Sequence, residues 1–175
     1  MSSIVRTRRA FALGVGALAG AAALAHLAAH MHPEPKVDGP WRLQVQDLST
    51  GRRIVLPDEL HRQDALIIVW ATWCAACKTL LSELRANVEN GDLSPELKIY
   101  ALNGGEPKQK VRAFLHRHPL PFPVLWAEEG DVRRSLGLRV LPFTIVLRSG
   151  EPPRGIEGAS EEAIEKIRQW FPPAS

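Results

Sequence analysis

The sequence predicts an α/β domain with helices on both faces of a central sheet. Residues 65–70 (ALIIVW) form a continuous apolar run of strand length, which is typical of a central strand covered on both sides. Segments with strand periodicity and segments with helix periodicity then alternate as far as residue 171. This alternation is typical of an α/β sheet.

The segment before the buried strand predicts a hairpin. Residues 41–46 (WRLQVQ) alternate apolar and polar side chains, and a turn at 47–51 leads to a second short strand at 52–56. After the buried strand, residues 75–89 predict a helix, because the apolar side chains recur there at helical spacing (Leu80, Leu81, Leu84 and Val88).

The second half of the chain predicts three more strands and three more helices. One helix begins near Pro107 and ends before Pro119, and the last helix is capped by Ser160, with Ile164, Ile167 and Trp170 facing the sheet. The predicted strands are 97–102, 123–126 and 143–147, and the remaining helix is 131–136.

The charge of the chain is concentrated at its start. Residues 1–36 carry four basic side chains against the single Glu34, whereas residues 37–175 are balanced, with 18 basic and 18 acidic side chains. A pI near 9.1 therefore does not predict a basic patch on the folded part, and nucleic acid is not an expected partner.

The N-terminus resembles an export leader. Residues 10–29 are apolar or small and follow Arg6, Arg8 and Arg9, which matches a signal segment or a membrane anchor. Arg8 and Arg9 also resemble a twin-arginine signal. We expect the folded part to be periplasmic, either anchored to the inner membrane or released by cleavage.

Four regions follow from this reading. Residues 1–30 are the predicted signal or anchor, and residues 31–40 are a linker punctuated by Pro and Gly. Residues 41–171 are the predicted domain, and residues 172–175 are a short tail.

The two cysteines of the chain, Cys74 and Cys77, are three residues apart. They follow a buried strand and lie in the first turn of the predicted helix, where unpaired N–H groups and the helix dipole stabilise a thiolate. An isolated CxxC pair in this position predicts redox chemistry. We expect Cys74 to be the exposed nucleophile, Cys77 to resolve the mixed disulfide, and Trp73 to supply an apolar rim for a partner chain.

Pro142 directly precedes the predicted strand 143–147, and proline in sheets is confined to strand starts, edges and bulges. A cis proline there would place its backbone opposite the sulfurs, where it could pair with an extended substrate. The residues alone leave cis and trans open.

Three segments resemble the TlpA/ResA-like branch of the thioredoxin superfamily. They are residues 70–78 (WATWCAACK), residues 111–115 with 122–125 (VRAFL, FPVL), and residues 136–144 (LGLRVLPFT) followed by 148–150 (RSG). The resemblance implies a thioredoxin fold with a central mixed sheet, an opening hairpin and a βα unit inserted between the active-site helix and the proline strand.

The same resemblance implies a thiol–disulfide oxidoreductase without a cofactor or metal. It implies that Pro142 is cis and assigns Trp73, Leu141 and Pro142 to substrate binding. The implied partners are exported proteins that carry disulfides, such as apocytochromes c, and a membrane electron donor of thiol type.

Two positions depart from the family pattern. Ile68 stands where family members have Asp or Asn, and Leu80 stands where ResA-like members have Glu. These two apolar side chains predict a pocket around Cys77 with less water than in other family members. Such a pocket disfavours the charged form of the Cys77 thiol. The intervening Ala75 and Ala76 supply no charge that would stabilise a reduced form, so we expect a reductant rather than a strong oxidant.

Two other functions stay open at this point. Two soft thiolates could bind Cu(I) in a copper chaperone, although the chain shows no third ligand at a suitable spacing. A thiol peroxidase would use a threonine near its reactive cysteine, and Thr72 lies two residues before Cys74.

Overall fold

The structure, a computed structural model, describes residues 41–60, 62–128 and 130–174. These residues form a seven-stranded mixed sheet in the order β2-β1-β5-β4-β3-β6-β7. The elements are β1 (Leu43–Asp47), β2 (Arg53–Leu56), β3 (Ala65–Trp70), α1 (Ala75–Asn90), β4 (Lys98–Asn103), α2 (Lys108–Arg117), β5 (Val124–Trp126), α3 (Asp131–Leu136), β6 (Phe143–Leu147), β7 (Arg154–Glu157) and α4 (Glu161–Trp170). The predicted leader and linker lie outside the described residues.

Strand β3 is the centre of the sheet. It pairs in parallel with β4 and antiparallel with β6, so that Ile68 lies between Ala101 and Thr144. All six of its side chains are buried, as the continuous apolar run predicts. Since β3 and β4 are parallel, the loops that follow them leave the sheet at the same edge.

The two faces of β3 belong to two apolar clusters. Leu66, Ile68 and Trp70 pack with α1, α2 and α4 on one face. The alternate residues of the strand pack on the other face with the hairpin and the short helix α3. The predicted arrangement with helices on both faces is therefore confirmed.

Two β–α units, β4–α2 and β5–α3, separate α1 from the strand that follows Pro142. This confirms the inserted unit that the resemblance implies. The opening hairpin is also present: β1 pairs antiparallel with β2 and, on its other side, with β5. The hairpin thereby extends the sheet beyond β5.

Two features differ from the sequence-based expectation. Strand β7 was not predicted, because its four residues include Gly155 and follow two prolines, a composition that favours a turn. Val88 was expected on the buried face of α1 but is 39% exposed. The buried side chain of that turn is Asn87, whose amide donates to the Glu83 carbonyl and accepts from Arg168 of α4.

No helix in the described part of the chain combines the length and the apolar character that a membrane span requires.

The different burial of two apolar residues in α1 predicts a difference in stability. Leu84 is fully buried, so Leu84→Ala leaves a cavity and should lower the free energy of unfolding by about 2 to 4 kcal/mol. Val88→Ala, one turn away, should lower it by less than about 1 kcal/mol. Urea unfolding of both variants measures the difference, and equal losses would contradict the burial of Leu84.

Candidate active site

The cysteines lie where β3 gives way to α1. Cys74 is the N-cap residue of the helix and forms a disulfide with Cys77, with an S–S distance of 2.07 Å and a Cα–Cα distance of 5.2 Å. The backbone N–H of Cys77 donates to the Cys74 sulfur at 3.1 Å. Cys74 was expected to be exposed, but it is buried, with 6% of its surface exposed. Cys77 keeps none, so Cys74 is only slightly the more accessible of the two.

The surroundings of Cys74 favour negative charge on its sulfur. The sulfur accepts a hydrogen bond from one of the orphan N–H groups of the helix start, where the helix dipole is positive. The first turn of α1 contains no acidic residue. A thiolate formed at Cys74 would therefore be stabilised by the backbone alone, without a cationic side chain between the cysteines.

The peptide bond between Leu141 and Pro142 is cis, as the resemblance implies. Pro142 has no N–H, and its carbonyl accepts from the N–H of Gly158 at 2.9 Å. The N–H and the carbonyl of Leu141, by contrast, make no hydrogen bond to any residue that the structure describes. The backbone groups available to an extended substrate are thus those of Leu141, not those of Pro142.

Trp73 and Leu141 both line one groove, whose volume is about 1040 Å³. The Trp73 side chain is 67% exposed, which agrees with an apolar rim. Leu141 is half-buried and contacts both apolar clusters of the domain. Two of the predicted substrate-binding residues, Trp73 and Leu141, therefore line the same groove.

Glu106 is a site residue that the sequence analysis missed. It lies in the loop after β4, and its carboxylate accepts from the Thr72 N–H at 2.6 Å and from the Thr72 hydroxyl at 2.7 Å. Asn103 donates to it at 2.9 Å, and Lys110 forms an ion pair with it at 2.7 Å. Glu106 thus ties the turn that leads into the cysteines to α2. The sequence could have pointed to Glu106 through its position just after the carboxyl end of β4, because β4 is the parallel neighbour of β3.

The pKa of Glu106 is lowered to about 2. Burial alone would raise it, but the ion pair with Lys110 and the hydrogen bonds from Thr72 and Asn103 together outweigh burial. The carboxylate is therefore ionised across the neutral range.

Ile68 and Leu80, the two positions that depart from the family pattern, are both fully buried in the cluster that contains Cys77. The polar groups that the resemblance implies near the resolving sulfur are replaced here by apolar contacts. No group of three metal-ligating side chains occurs within the described ranges.

Residues 41–151, more than half of the chain, match the model of the AhpC/TSA family. The chain belongs to that family. It is 26% identical over 118 residues to the thiol-disulfide oxidoreductase ResA of Halalkalibacterium halodurans, covering 66% of each chain. It is 28% identical over 117 residues to ResA of Bacillus subtilis, covering 66% of this chain and 64% of that one. The matched part thus spans slightly under two thirds of these relatives.

Among solved structures, StoA from Bacillus subtilis matches with a TM-score of 0.60 and 20% identity, over 75% of this chain and 97% of the other. These similarities confirm both the thioredoxin-like fold and the resemblance to ResA-type proteins. The region that matches the AhpC/TSA family extends from β1 to the turn after β6.

The hydrogen bonds of Glu106 predict a pH-dependent contribution to stability. A carboxyl whose pKa is depressed in the folded state stabilises the fold above its unfolded pKa, near 4.5, and loses that effect as the pH falls toward 2. Glu106→Gln should therefore lower the free energy of unfolding by up to about 3 kcal/mol at pH 7. This loss should become smaller as the pH falls from about 4.5 to 2.

Urea unfolding at several pH values measures this cost. Glu83→Gln is the matched control, because Glu83 is an exposed residue of α1 whose side chain makes none of these contacts. A cost for Glu106→Gln that stays constant from pH 7 to pH 2.5 would contradict the assignment.

Proposed function

We propose that this protein is a thiol–disulfide oxidoreductase that reduces, or isomerises, disulfides of client proteins through Cys74 and Cys77. The observation that carries the proposal is the position of Cys74. It caps a helix that donates an N–H to its sulfur. Leu141, whose backbone N–H and carbonyl are unpaired among the described residues, packs against the apolar cluster that contains Cys74. The two ResA relatives are named as thiol-disulfide oxidoreductases, which supports this activity.

The first step starts from the reduced pair. The Cys74 thiolate attacks one sulfur of the client disulfide, the client S–S bond breaks, and the other client sulfur leaves as a thiolate. A mixed disulfide now joins Cys74 to the client. An extended client segment can hydrogen-bond to the N–H and the carbonyl of Leu141 as a strand pairs with a sheet edge.

In the second step Cys77 attacks the Cys74 sulfur and releases the client as a dithiol. The Cys77 proton passes to the departing client thiolate or to water. Two electrons have moved from the pair to the client, which leaves the Cys74–Cys77 disulfide seen in the structure. A thiol-type donor must then reduce this disulfide before the next cycle, and we propose that the donor is a membrane protein.

The direction of electron flow is proposed from the residues around the pair. An oxidant needs a strongly stabilised reduced form. Ala75 and Ala76 add no charge or imidazole, and Ile68 and Leu80 surround the resolving sulfur with apolar groups. Because only the backbone stabilises the Cys74 thiolate, the reduced form is not strongly stabilised, and this favours a reductant.

We place this activity in the periplasm. The apolar segment within residues 1–30 and the arginines before it support export, with either an anchored or a cleaved product. Residues 31–40 would then be the linker, residues 41–171 the catalytic domain, and residues 172–175 a tail. The clients we propose are exported proteins that carry disulfides, with apocytochromes c as the class that the ResA-like resemblance suggests.

Replacing the proposed nucleophile tests the activity. Cys74→Ser should reduce the rate of insulin disulfide reduction to the uncatalysed background, because no thiolate remains to attack. Cys77→Ser should instead accumulate a mixed disulfide that is visible by mass spectrometry. A Cys74→Ser variant with full activity would refute the proposal. Peroxide consumption that depends on Cys74, without insulin reduction, would favour a thiol peroxidase.

The reduction potential of the Cys74–Cys77 couple tests the direction. Titration of the full-length chain against a dithiothreitol buffer should give a value near about −270 mV, as for thioredoxin. Ala76→His is expected to raise the potential, because a cation at this position stabilises the thiolate of the reduced form. A wild-type value near about −120 mV, as for DsbA, would reverse the proposed direction.

A further inference from the structure

Cationic side chains contribute to the groove that Trp73 and Leu141 line. Helix α3 and the loop after it supply Arg133, Arg134 and Arg139 to the same lining. Three of the chain's arginines therefore line a groove that begins next to the proposed nucleophile.

Two of these guanidinium groups have no counter-ion among the residues that the structure describes. Arg133 and Arg139 are exposed, and neither forms an ion pair or a side-chain hydrogen bond with another residue in the described part of the chain. Arg134 is paired with Asp131. It also lies close to Gly130, since a Cβ at that glycine would be 2.9 Å from the Arg134 Nη1 atom.

Among the described residues that line the groove, Glu106 is the acidic one, and it does not balance these charges. Glu106 is paired with Lys110 and accepts hydrogen bonds from Thr72 and Asn103, and its side chain is only 11% exposed. Its charge is thus compensated by its own partners. Arg133 and Arg139 leave the rim of the groove positive, which makes it complementary to an anion.

Apolar contact surface is present in the same groove. Among the described residues three large hydrophobic side chains are exposed, and two of them, Trp73 and Val140, line it. Val140 lies between Arg139 and Leu141, whose backbone N–H and carbonyl are unpaired. A ligand bound here would meet an apolar contact, a backbone donor and acceptor, and two cations without an ion pair to any described residue, all in one groove.

We propose that this groove binds an extended client segment that carries acidic side chains beside its disulfide-bonded cysteine. The inference rests on the proposed function and names the substrate class of that site. Leu141 pairs with the client backbone, Trp73 and Val140 contact its apolar side chains, and Arg133 and Arg139 bind its carboxylates. Specificity then comes from charge, because backbone pairing is the same for every sequence.

The test uses three synthetic peptides that share one intramolecular disulfide ring and differ only in the flanking residues. The flanks are acidic (Asp and Glu), neutral (Asn and Gln) or basic (Lys). The Cys74–Cys77 pair of the full-length protein is first reduced, and the protein is then mixed with each peptide in an uncharged detergent. The reaction is quenched with acid, and the products are resolved by chromatography. Each rate constant is divided by that of dithiothreitol with the same peptide, which removes the effect of the flanks on intrinsic reactivity.

The wild-type protein should reduce the acidic peptide about tenfold faster than the neutral one at low salt, and the basic peptide should be the slowest. At about 0.5 M NaCl the preference should fall to about twofold or less, because salt screens exposed charges. This salt dependence needs no variant, so it tests the inference independently of any effect on folding.

Variants assign the preference to the two arginines. Arg133→Ser with Arg139→Ser should lower the acidic-to-neutral ratio to about twofold or less. The matched control is Arg53→Ser with Arg112→Ser, which removes two exposed arginines that do not line the groove. This control should keep the wild-type ratio.

The outcomes separate this inference from the proposed function. Equal reduction of the three peptides by the wild type, or an unchanged ratio in the Arg133 and Arg139 double variant, overturns the acidic client and leaves the oxidoreductase in place. Loss of the ratio in the control overturns it as well, since the effect would then follow net charge. Reduction of none of the peptides, together with no reduction of insulin, overturns both.

Discussion

The pairing of β3 with β4 on one side and with β6 on the other is the constraint on which the site depends. The end of β3 delivers the cysteines, the end of β4 delivers Glu106, and the start of β6 delivers Leu141 with its cis bond to Pro142. A slip of one residue in either register would turn the β3 side chains to the opposite face and separate these groups. The six buried side chains of β3 hold the register against such a slip.

The sequence predicted those elements whose physical signal is local. The apolar run of β3, the helical spacing in α1 and the position of Ser160 each depend on neighbouring residues, and all three are present in the structure. The cysteine pair was found for the same reason, because its spacing and its place after a strand are readable along the chain.

The misses depend on contacts between distant segments. Glu106 contacts Thr72 across 34 positions of sequence, and its role follows from the parallel pairing of two strands, not from its neighbours. The charge balance of residues 37–175 predicted no basic patch, yet a net of zero allows a local excess such as Arg133 and Arg139. Strand β7 forms because β6 offers it a partner, although its composition favours a turn.

The hydrogen bond from Gly158 to the Pro142 carbonyl limits how much of a client can join the sheet. Leu141 provides the N–H and the carbonyl of a single residue, and the next carbonyl, that of Pro142, already accepts from Gly158. A bound chain therefore cannot continue along β6 as an eighth strand. The outer strands β2 and β7 have only four residues each, so they too are short templates. An extended client segment of the proposed reaction would therefore pair with the sheet at one residue and could not seed assembly into a growing sheet.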